Sequence, residues 1–156
     1  NTTVDTGNKG GIGLQDNKDV FRRIERQYYR DRMGTLGLST VEGMLLRWLG
    51  KQGQTRQEDL VVQLVLDKGA VARALARLEE LGLVERAVSD RCRREKLVSP
   101  TLEGLMLAGA IQQSVEEWNA VCFQGFSPQE RALFTDLFTR ITQNAMEYKQ
   151  GEKEHG

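Results

Sequence analysis

The chain has 156 residues, and its 22 basic and 22 acidic side chains give a formal net charge of zero. With 39% hydrophobic residues, this length supports one well-cored domain and is too short for two independent ones. Cys92 and Cys122 are far apart and form no CxxC pattern, which excludes a disulfide framework and a cysteine zinc site. The most apolar run, residues 60–66, is far shorter than the ~20 residues of a membrane-spanning helix, so we expect a cytoplasmic protein that does not contact a membrane.

The N-terminal region combines a polar tail with an amphipathic helix. Residues 1–16 are rich in glycine and polar side chains, and this composition predicts a disordered tail. Phe21, Ile24 and Tyr28 then recur at helical spacing, which predicts a first helix over about residues 17–33 that ends at Gly34.

Three helix starts are predicted by a capping box, in which a serine or threonine precedes a glutamate by three positions. The pairs are Ser39 with Glu42, Thr55 with Glu58, and Ser127 with Glu130. The first pair begins a second helix that should run from Ser39 to near Gly50. The second begins a third helix that should end near Leu66.

A helix-turn-helix with a wing is predicted over about residues 39–100. Asp67 directly follows the third helix and can cap a fourth one, and two helices joined this tightly form a helix-turn-helix. Gly82 should end the fourth helix. A strand beginning at Leu83 and Val84 should then pair with residues 96–98 across a turn at residues 91–94, which gives the hairpin called the wing.

The C-terminal part is predicted to form two further helices. The fifth should start at Pro100 or Thr101 and the sixth at Ser127, and residues 150–156 should form a frayed tail. Their apolar positions are Leu105, Ile111, Val115, Trp118 and Cys122 in the fifth helix, and Phe134, Leu137, Phe138, Ile141, Ala145 and Tyr148 in the sixth. Faces this large predict dimerisation through helices at about residues 17–33 and 101–149, although they could instead pack within one chain.

The fourth helix has one apolar stripe and one basic face. Val71, Leu75, Leu78 and Leu81 form the stripe, so the basic side chains beside them should face solvent or phosphate. The predicted DNA contacts are Lys68, Arg73 and Arg77 in this helix, Arg91, Arg93, Arg94 and Lys96 in the wing, and Arg56 and Gln57 at the start of the third helix. Arg73 and Arg77 are the candidates for base specificity, and Arg94 is the candidate for the minor groove.

The order of elements and the sequence of residues 66–104 resemble the MarR family of regulators. The positions that correspond to the family's pattern are Leu66, Asp67 and Lys68; Val71 and Arg73; Leu78, Glu79, Gly82 and Leu83; Cys92, Arg93 and Arg94 in the wing; and Pro100, Thr101 and Gly104 after it. The resemblance implies a mainly α fold with a β-hairpin wing, a single domain over residues 17–149, and a homodimer that binds double-stranded DNA. It also implies a repressor that a small, often aromatic and anionic, effector releases.

Two positions depart from the family pattern. Cys92 stands where the wing usually has an aspartate that holds its arginine, and we expect Asp90 or Glu95 to hold Arg94 instead. Gly69, Ala70 and Ala72 stand where the recognition helix often has serine or threonine, so fewer side chains can read bases. Cys92 also lies among basic residues, which makes it a candidate for an oxidation-responsive thiol.

Other functions find less support in the sequence. The only histidine is His155, so no histidine-based catalytic triad or clustered histidine metal site can form, and we expect no enzyme activity, cofactor or metal. Effector contacts stay unassigned: Tyr28, Met44, Trp48 and Trp118, with Arg22 or Arg26, could line a pocket but are also ordinary packing residues. A winged-helix module that binds protein instead of DNA remains the alternative from another class.

Overall fold

The computed structural model of the chain describes residues 13–155, with side chains through residue 154. It confirms a mainly helical fold with a small antiparallel sheet. The elements are α1 (Leu14–Thr35), α2 (Thr40–Gln52), β1 (Thr55–Arg56), α3 (Gln57–Leu64), α4 (Lys68–Glu80), β2 (Val84–Val88), β3 (Lys96–Pro100), α5 (Leu102–Cys122) and α6 (Pro128–His155). None of the described helices is both long and apolar enough to cross a membrane.

The chain divides into two compact units within α5. The first unit ends at Ser114 and the second begins at Val115. The first therefore contains the helix-turn-helix and the sheet, and the second contains the end of α5 and all of α6.

Two of the three capping boxes are confirmed. The Ser39 Oγ accepts from the Glu42 amide at 3.1 Å and the Glu42 carboxylate accepts from the Ser39 amide at 3.0 Å, and Ser127 and Glu130 form the same pair of bonds at 3.1 and 2.9 Å. The box at Thr55 is wrong. Thr55 lies in β1, its hydroxyl donates to the carbonyl of Gly53, and α3 begins only at Gln57.

Several predicted element ends also differ from the structure. Residues 14–16 are helical and belong to α1, whereas residues 1–12 of the predicted tail lie outside the described part of the chain. The third helix ends at Leu64, before Val65 adopts a left-handed conformation with φ of 53°. Pro100 does not start α5, because it pairs with Val84 in the sheet. Residues 150–155 continue α6 instead of fraying.

The wing hairpin is confirmed and joins a third strand. The strands are ordered β1-β3-β2 and are antiparallel, with Val84 opposite Pro100 and Val88 opposite Lys96. On the other side of β3, Thr55 lies opposite Val98 and Arg56 opposite Leu97. Through β1, the sheet connects the wing directly to the start of α3.

The core of the first unit lies between α2, α3, α4 and the sheet. Its completely buried side chains are Leu45, Leu46 and Leu49 of α2, Leu60 of α3, Val71, Leu75 and Leu78 of α4, and Val84 and Val98 of the sheet. Three of the four predicted stripe residues of α4 are therefore confirmed. Leu81 is the exception, because it follows the helix as its C-cap and is exposed.

The start of α5 approaches β2 with no space for a side chain at Gly104. A Cβ atom at this position would lie 2.0 Å from the backbone oxygen of Leu83. Thr101 fixes the same junction, because its amide donates to the Leu83 carbonyl at 3.0 Å, its hydroxyl donates to the Gly82 carbonyl at 2.7 Å, and its Oγ1 accepts from the Gly104 amide at 3.1 Å. These contacts hold the start of α5 against the end of α4 and the start of β2.

We expect Gly104→Ala to lower the free energy of unfolding by about 1–3 kcal/mol, because the new methyl group would collide with backbone that cannot rotate away. Gly109→Ala is the matched control in the same helix, since a Cβ there would meet nothing within 4 Å. The control should raise the free energy of unfolding by up to about 1 kcal/mol, because alanine favours the helix more than glycine does. Urea denaturation followed by circular dichroism measures both, and equal values for the two variants would contradict this packing.

Candidate nucleic-acid interface

Helix α4 turns its apolar stripe into the core and its basic side chains toward solvent. The predicted cap is confirmed, because the Asp67 carboxylate accepts from the Ala70 amide at 2.9 Å. Lys68 and Arg73 are exposed, and neither forms an ion pair with a described residue. The first turns of α4 therefore present two uncompensated cations.

Gly69 gives Arg73 room to lie along the first turn of α4. A Cβ atom at Gly69 would be 3.1 Å from Nη1 of Arg73 and 3.2 Å from Oδ2 of Asp67. The guanidinium thus rests close to the cap, over a position that has no side chain. The glycine that looked like a lost hydrogen-bonding residue in the sequence has a steric role in the structure.

Arg77 is exposed, but its guanidinium is bonded to other groups of the fold. Its Nη1 donates to the Glu42 carboxylate, and its Nη2 donates to the carbonyl of Gly37 at 3.1 Å. Glu42 is 6% exposed and is the same residue that caps α2. This arrangement argues against the prediction that Arg77 reads bases, because the side chain ties α4 to the start of α2.

The wing turn exposes a group of cations. The Ser89 amide donates to the Glu95 carbonyl at 2.8 Å and the Glu95 amide donates to the Cys92 carbonyl at 3.0 Å, and these bonds close the turn. Arg91, Arg93, Arg94 and Lys96 are exposed, and none of them forms an ion pair within residues 13–154. The turn therefore carries a locally uncompensated positive charge on a chain of zero net charge.

Glu95 binds Arg56 and not Arg94, so the sequence-based expectation for the wing arginine is wrong. The Arg56 Nη1 donates to Glu95 at 3.0 Å, while its Nε and Nη2 donate to the two carboxylate oxygens of Asp59 at 2.9 and 3.0 Å. These hydrogen bonds raise the pKa of Arg56, and the bonds from Arg56 and Ser89 hold the pKa of Glu95 below its usual value. Two carboxylates thus already compensate the charge of Arg56.

Gln57 and Arg86 also take positions that the sequence did not indicate. The Oε1 of Gln57 is shielded from solvent without a hydrogen-bond partner. Arg86 donates from its amide and from Nη2 to the Glu79 carboxylate at 3.2 and 3.0 Å, and this holds β2 against α4. Glu79 and Arg86 lie on either side of Gly82, where α4 ends. Their opposite charges were the signal in the sequence that could have predicted this pair.

Comparison with known proteins agrees with this architecture. The family model for the MarR family matches residues 36–95. A crystal structure of MarR aligns with a TM-score of 0.76 at 27% identity, covering 89% of this chain and 95% of that one. The structure of a MarR-family regulator from Listeria monocytogenes, complexed with 26mer DNA, aligns with a TM-score of 0.80 at 26% identity, covering 86% and 90%. The chain thus resembles MarR-family regulators in the sequence of residues 36–95 and in its winged-helix fold.

A curated relative is also a regulator. The uncharacterized HTH-type transcriptional regulator YybA of Bacillus subtilis is 27% identical over 88 residues. This match spans 56% of the chain and 59% of YybA, which is less than two thirds of that protein. The MarR family consists of transcription regulators with a DNA-binding winged helix, and the fold described above is that of the family.

The residues considered for an effector have different surroundings in the structure. Trp48 borders an open cleft of about 560 Å³ with Gln52, Gln54, Thr55, Arg56, Asp59, Gln63 and Leu97. The Tyr28 hydroxyl instead donates to the Ser114 carbonyl at 2.9 Å, Met44 is exposed, and Arg22 pairs with Asp19 at 2.8 Å. Trp118 belongs to the second unit. Among the described residues there is no cluster of metal-binding side chains.

We expect Arg77→Ala to lower the free energy of unfolding by about 1–3 kcal/mol, because it leaves the buried Glu42 carboxylate without this donor. Arg73→Ala is the control in the same helix, and an exposed side chain without an ion pair should change stability by no more than about 0.5 kcal/mol. Urea titration of both variants measures the difference. Equal losses of stability would show that Arg77 does not tie α4 to the start of α2.

Proposed function

We propose that this chain is a sequence-specific DNA-binding transcription regulator that acts as a homodimer on a pseudo-palindromic operator. Helix α4 enters the major groove, and the wing follows the adjacent minor groove with Arg94. The observation that carries this proposal is a group of six exposed cations in α4 and the wing that have no carboxylate partner among the described residues. They are Lys68 and Arg73 in α4, and Arg91, Arg93, Arg94 and Lys96 in the wing.

The charge distribution supports this function over protein binding. Arg56, Arg77 and Arg86 each meet a carboxylate, so their charges are used within the fold. The cations of α4 and the wing have none, and phosphate groups supply the missing negative charge when DNA binds. The Listeria monocytogenes regulator, whose structure contains DNA, is similar over 86% of this chain.

The exposed face of α6 supports the homodimer. Leu133, Phe134, Leu137, Phe138 and Ile141 are all between 43% and 58% exposed in the isolated chain. Phe134 and Phe138 stack with ring centroids 5.7 Å apart, and Phe134 meets Phe123 edge to face at 5.7 Å. Burying each such side chain contributes about 1.5–3 kcal/mol, so a second copy is the natural partner. A two-fold axis would place two α4 helices about 34 Å apart on DNA.

The regulator acts as a repressor in the cytoplasm and is released by a small aromatic or anionic effector. Two observations support this part of the proposal: the resemblance to the MarR family and the division of the chain into two compact units. An effector changes the affinity for DNA when it binds one arrangement of a protein more tightly than another. No residue is assigned to the effector.

DNA binding can be tested with fragments of the upstream intergenic DNA at several salt concentrations. We expect the wild type to bind one fragment with an affinity that falls steeply with salt, and Arg73→Ala/Arg94→Ala to lose most of this binding, because two uncompensated cations are removed. Arg22→Ala/Arg23→Ala removes the same charge from the exposed surface of α1 and serves as the matched control. If all three proteins bind every fragment equally or not at all, the protein-interaction module becomes the better hypothesis.

The dimer is tested by placing a charge on the apolar face of α6. We expect Phe138→Glu to raise the dimer dissociation constant by at least about tenfold, because association would bury an unpaired carboxylate. Gln143→Glu adds the same charge to the same helix outside the apolar positions and should leave the dimer intact. Sedimentation velocity measures both variants, and a wild type that is monomeric at micromolar concentration would contradict the proposal.

The exposed thiol of Cys92 in the wing turn supports a second candidate, an oxidation-responsive regulator. Peroxide would convert the thiolate to sulfenic acid, which alters the wing where DNA is bound. We expect Cys92→Ser to keep DNA binding and to abolish the loss of binding that peroxide causes in the wild type. A response that is the same in Cys92→Ser and in the wild type would remove this candidate.

A further inference from the structure

Arg56 connects two elements that both contribute to the proposed DNA-binding surface. It lies in β1 directly before α3, and its partner Glu95 lies directly before β3 at the base of the wing. The two residues are thus brought together by the pairing of β1 with β3, in which Arg56 lies opposite Leu97. The contact spans the junction between the helix-turn-helix and the wing.

The guanidinium of Arg56 is oriented by carboxylates on two of its sides. Asp59 accepts from Nε and Nη2 in a two-point contact at 2.9 and 3.0 Å, and Glu95 accepts from Nη1 at 3.0 Å. Paired parallel hydrogen bonds of this type fix the plane of a guanidinium as well as its position. Three of the five N–H donors are therefore occupied before DNA arrives.

Glu95 is the point at which the base of the wing is fixed. Its carbonyl accepts from the Ser89 amide at 2.8 Å, its amide donates to the Cys92 carbonyl at 3.0 Å, and its carboxylate meets both Arg56 and the Ser89 hydroxyl. Ser89 is buried, whereas residues 90–94 beyond it are exposed. Arg56 therefore acts on the residue from which the exposed cations of the wing extend.

We propose that Arg56 is a positioning residue that holds the wing through Glu95, and that it is not itself a phosphate contact. The proposal rests on the proposed DNA-binding function and adds to it the residue pair that sets the orientation of the wing. Glu95 thereby takes the anchoring role that the family assigns to the carboxylate at the position of Cys92, but it anchors the wing to β1 and α3 instead of holding Arg94.

The proposal and a purely electrostatic role make opposite predictions for Glu95. If Glu95 only adds negative charge beside DNA, removing it should tighten DNA binding, because repulsion of phosphate is lost. If Glu95 anchors the wing, removing it should weaken DNA binding although the protein becomes more positive. Asp90 provides the comparison, because it is an exposed acid in the same turn and forms no ion pair with a described residue.

The experiment uses Arg56→Ala, Glu95→Ala, their double variant and the control Asp90→Ala in the full chain. The first readout needs no DNA: hydrogen exchange of the Ser89 amide reports how often the base of the wing opens. We expect exchange to become about two- to fivefold faster in each single variant, to be no faster in the double variant, and to be unchanged in Asp90→Ala. Unchanged exchange in Arg56→Ala would overturn the proposal whether or not the protein binds DNA.

The second readout is the affinity for the DNA fragment that the wild type binds, measured against salt. We expect Arg56→Ala and Glu95→Ala to weaken binding by a similar factor of about two to five, and the double variant to be no weaker than either. The slope of log affinity against log salt should stay unchanged in Arg56→Ala and decrease by about 0.9 in Arg94→Ala. Tighter binding by Glu95→Ala, or a reduced slope in Arg56→Ala, would overturn the proposal. Absence of any DNA binding by the wild type would instead overturn the proposed function, and hydrogen exchange would still decide the role of Arg56 in the wing.

Discussion

The burial of one face of α4 is the constraint on which the rest of the first unit depends. Val71, Leu75 and Leu78 are completely buried against a core that includes Leu45, Leu49 and Leu60. Because a helix has a fixed period, burying these positions determines which side chains can point outward. Lys68 and Arg73 lie on the exposed side as a consequence. The hydrophobic core thus sets the geometry of the candidate interface without contributing an atom to it.

The basic residues between positions 56 and 96 fall into two groups with different roles. Arg77 ties α4 to the start of α2, Arg86 ties β2 to α4, and Arg56 ties β1 and α3 to the wing. The cations at the start of α4 and in the wing turn meet no carboxylate in the described part of the chain. A net charge of zero is therefore compatible with a locally positive surface on α4 and the wing.

Short-range signals allowed the sequence to predict much of the fold. The boxes at Ser39 and Ser127, the Asp67 cap and the α4 stripe involve residues within one or two helical turns, and all of them are present except that Leu81 falls outside the buried stripe. Thr55 has the same spacing to Glu58 but pairs with Val98 in the sheet instead, and long-range pairing overrides a local signal of about 1 kcal/mol. The partners of Arg56 and Arg77 were missed for the same reason. Periodicity shows that an arginine is off the apolar stripe, but it does not show which carboxylate the guanidinium will meet.

The division between binding and structural arginines can be observed directly through their side-chain resonances. We would record the Nε–Hε signals of the arginines by NMR before and after adding the DNA fragment that the protein binds. Signals of Arg73 and Arg94 should shift on binding, while those of Arg56 and Arg77 should keep their positions, because their donors remain on Glu95, Asp59 and Glu42. Shifts confined to Arg56 and Arg77, with Arg73 and Arg94 unchanged, would contradict the division and place the DNA on a different surface.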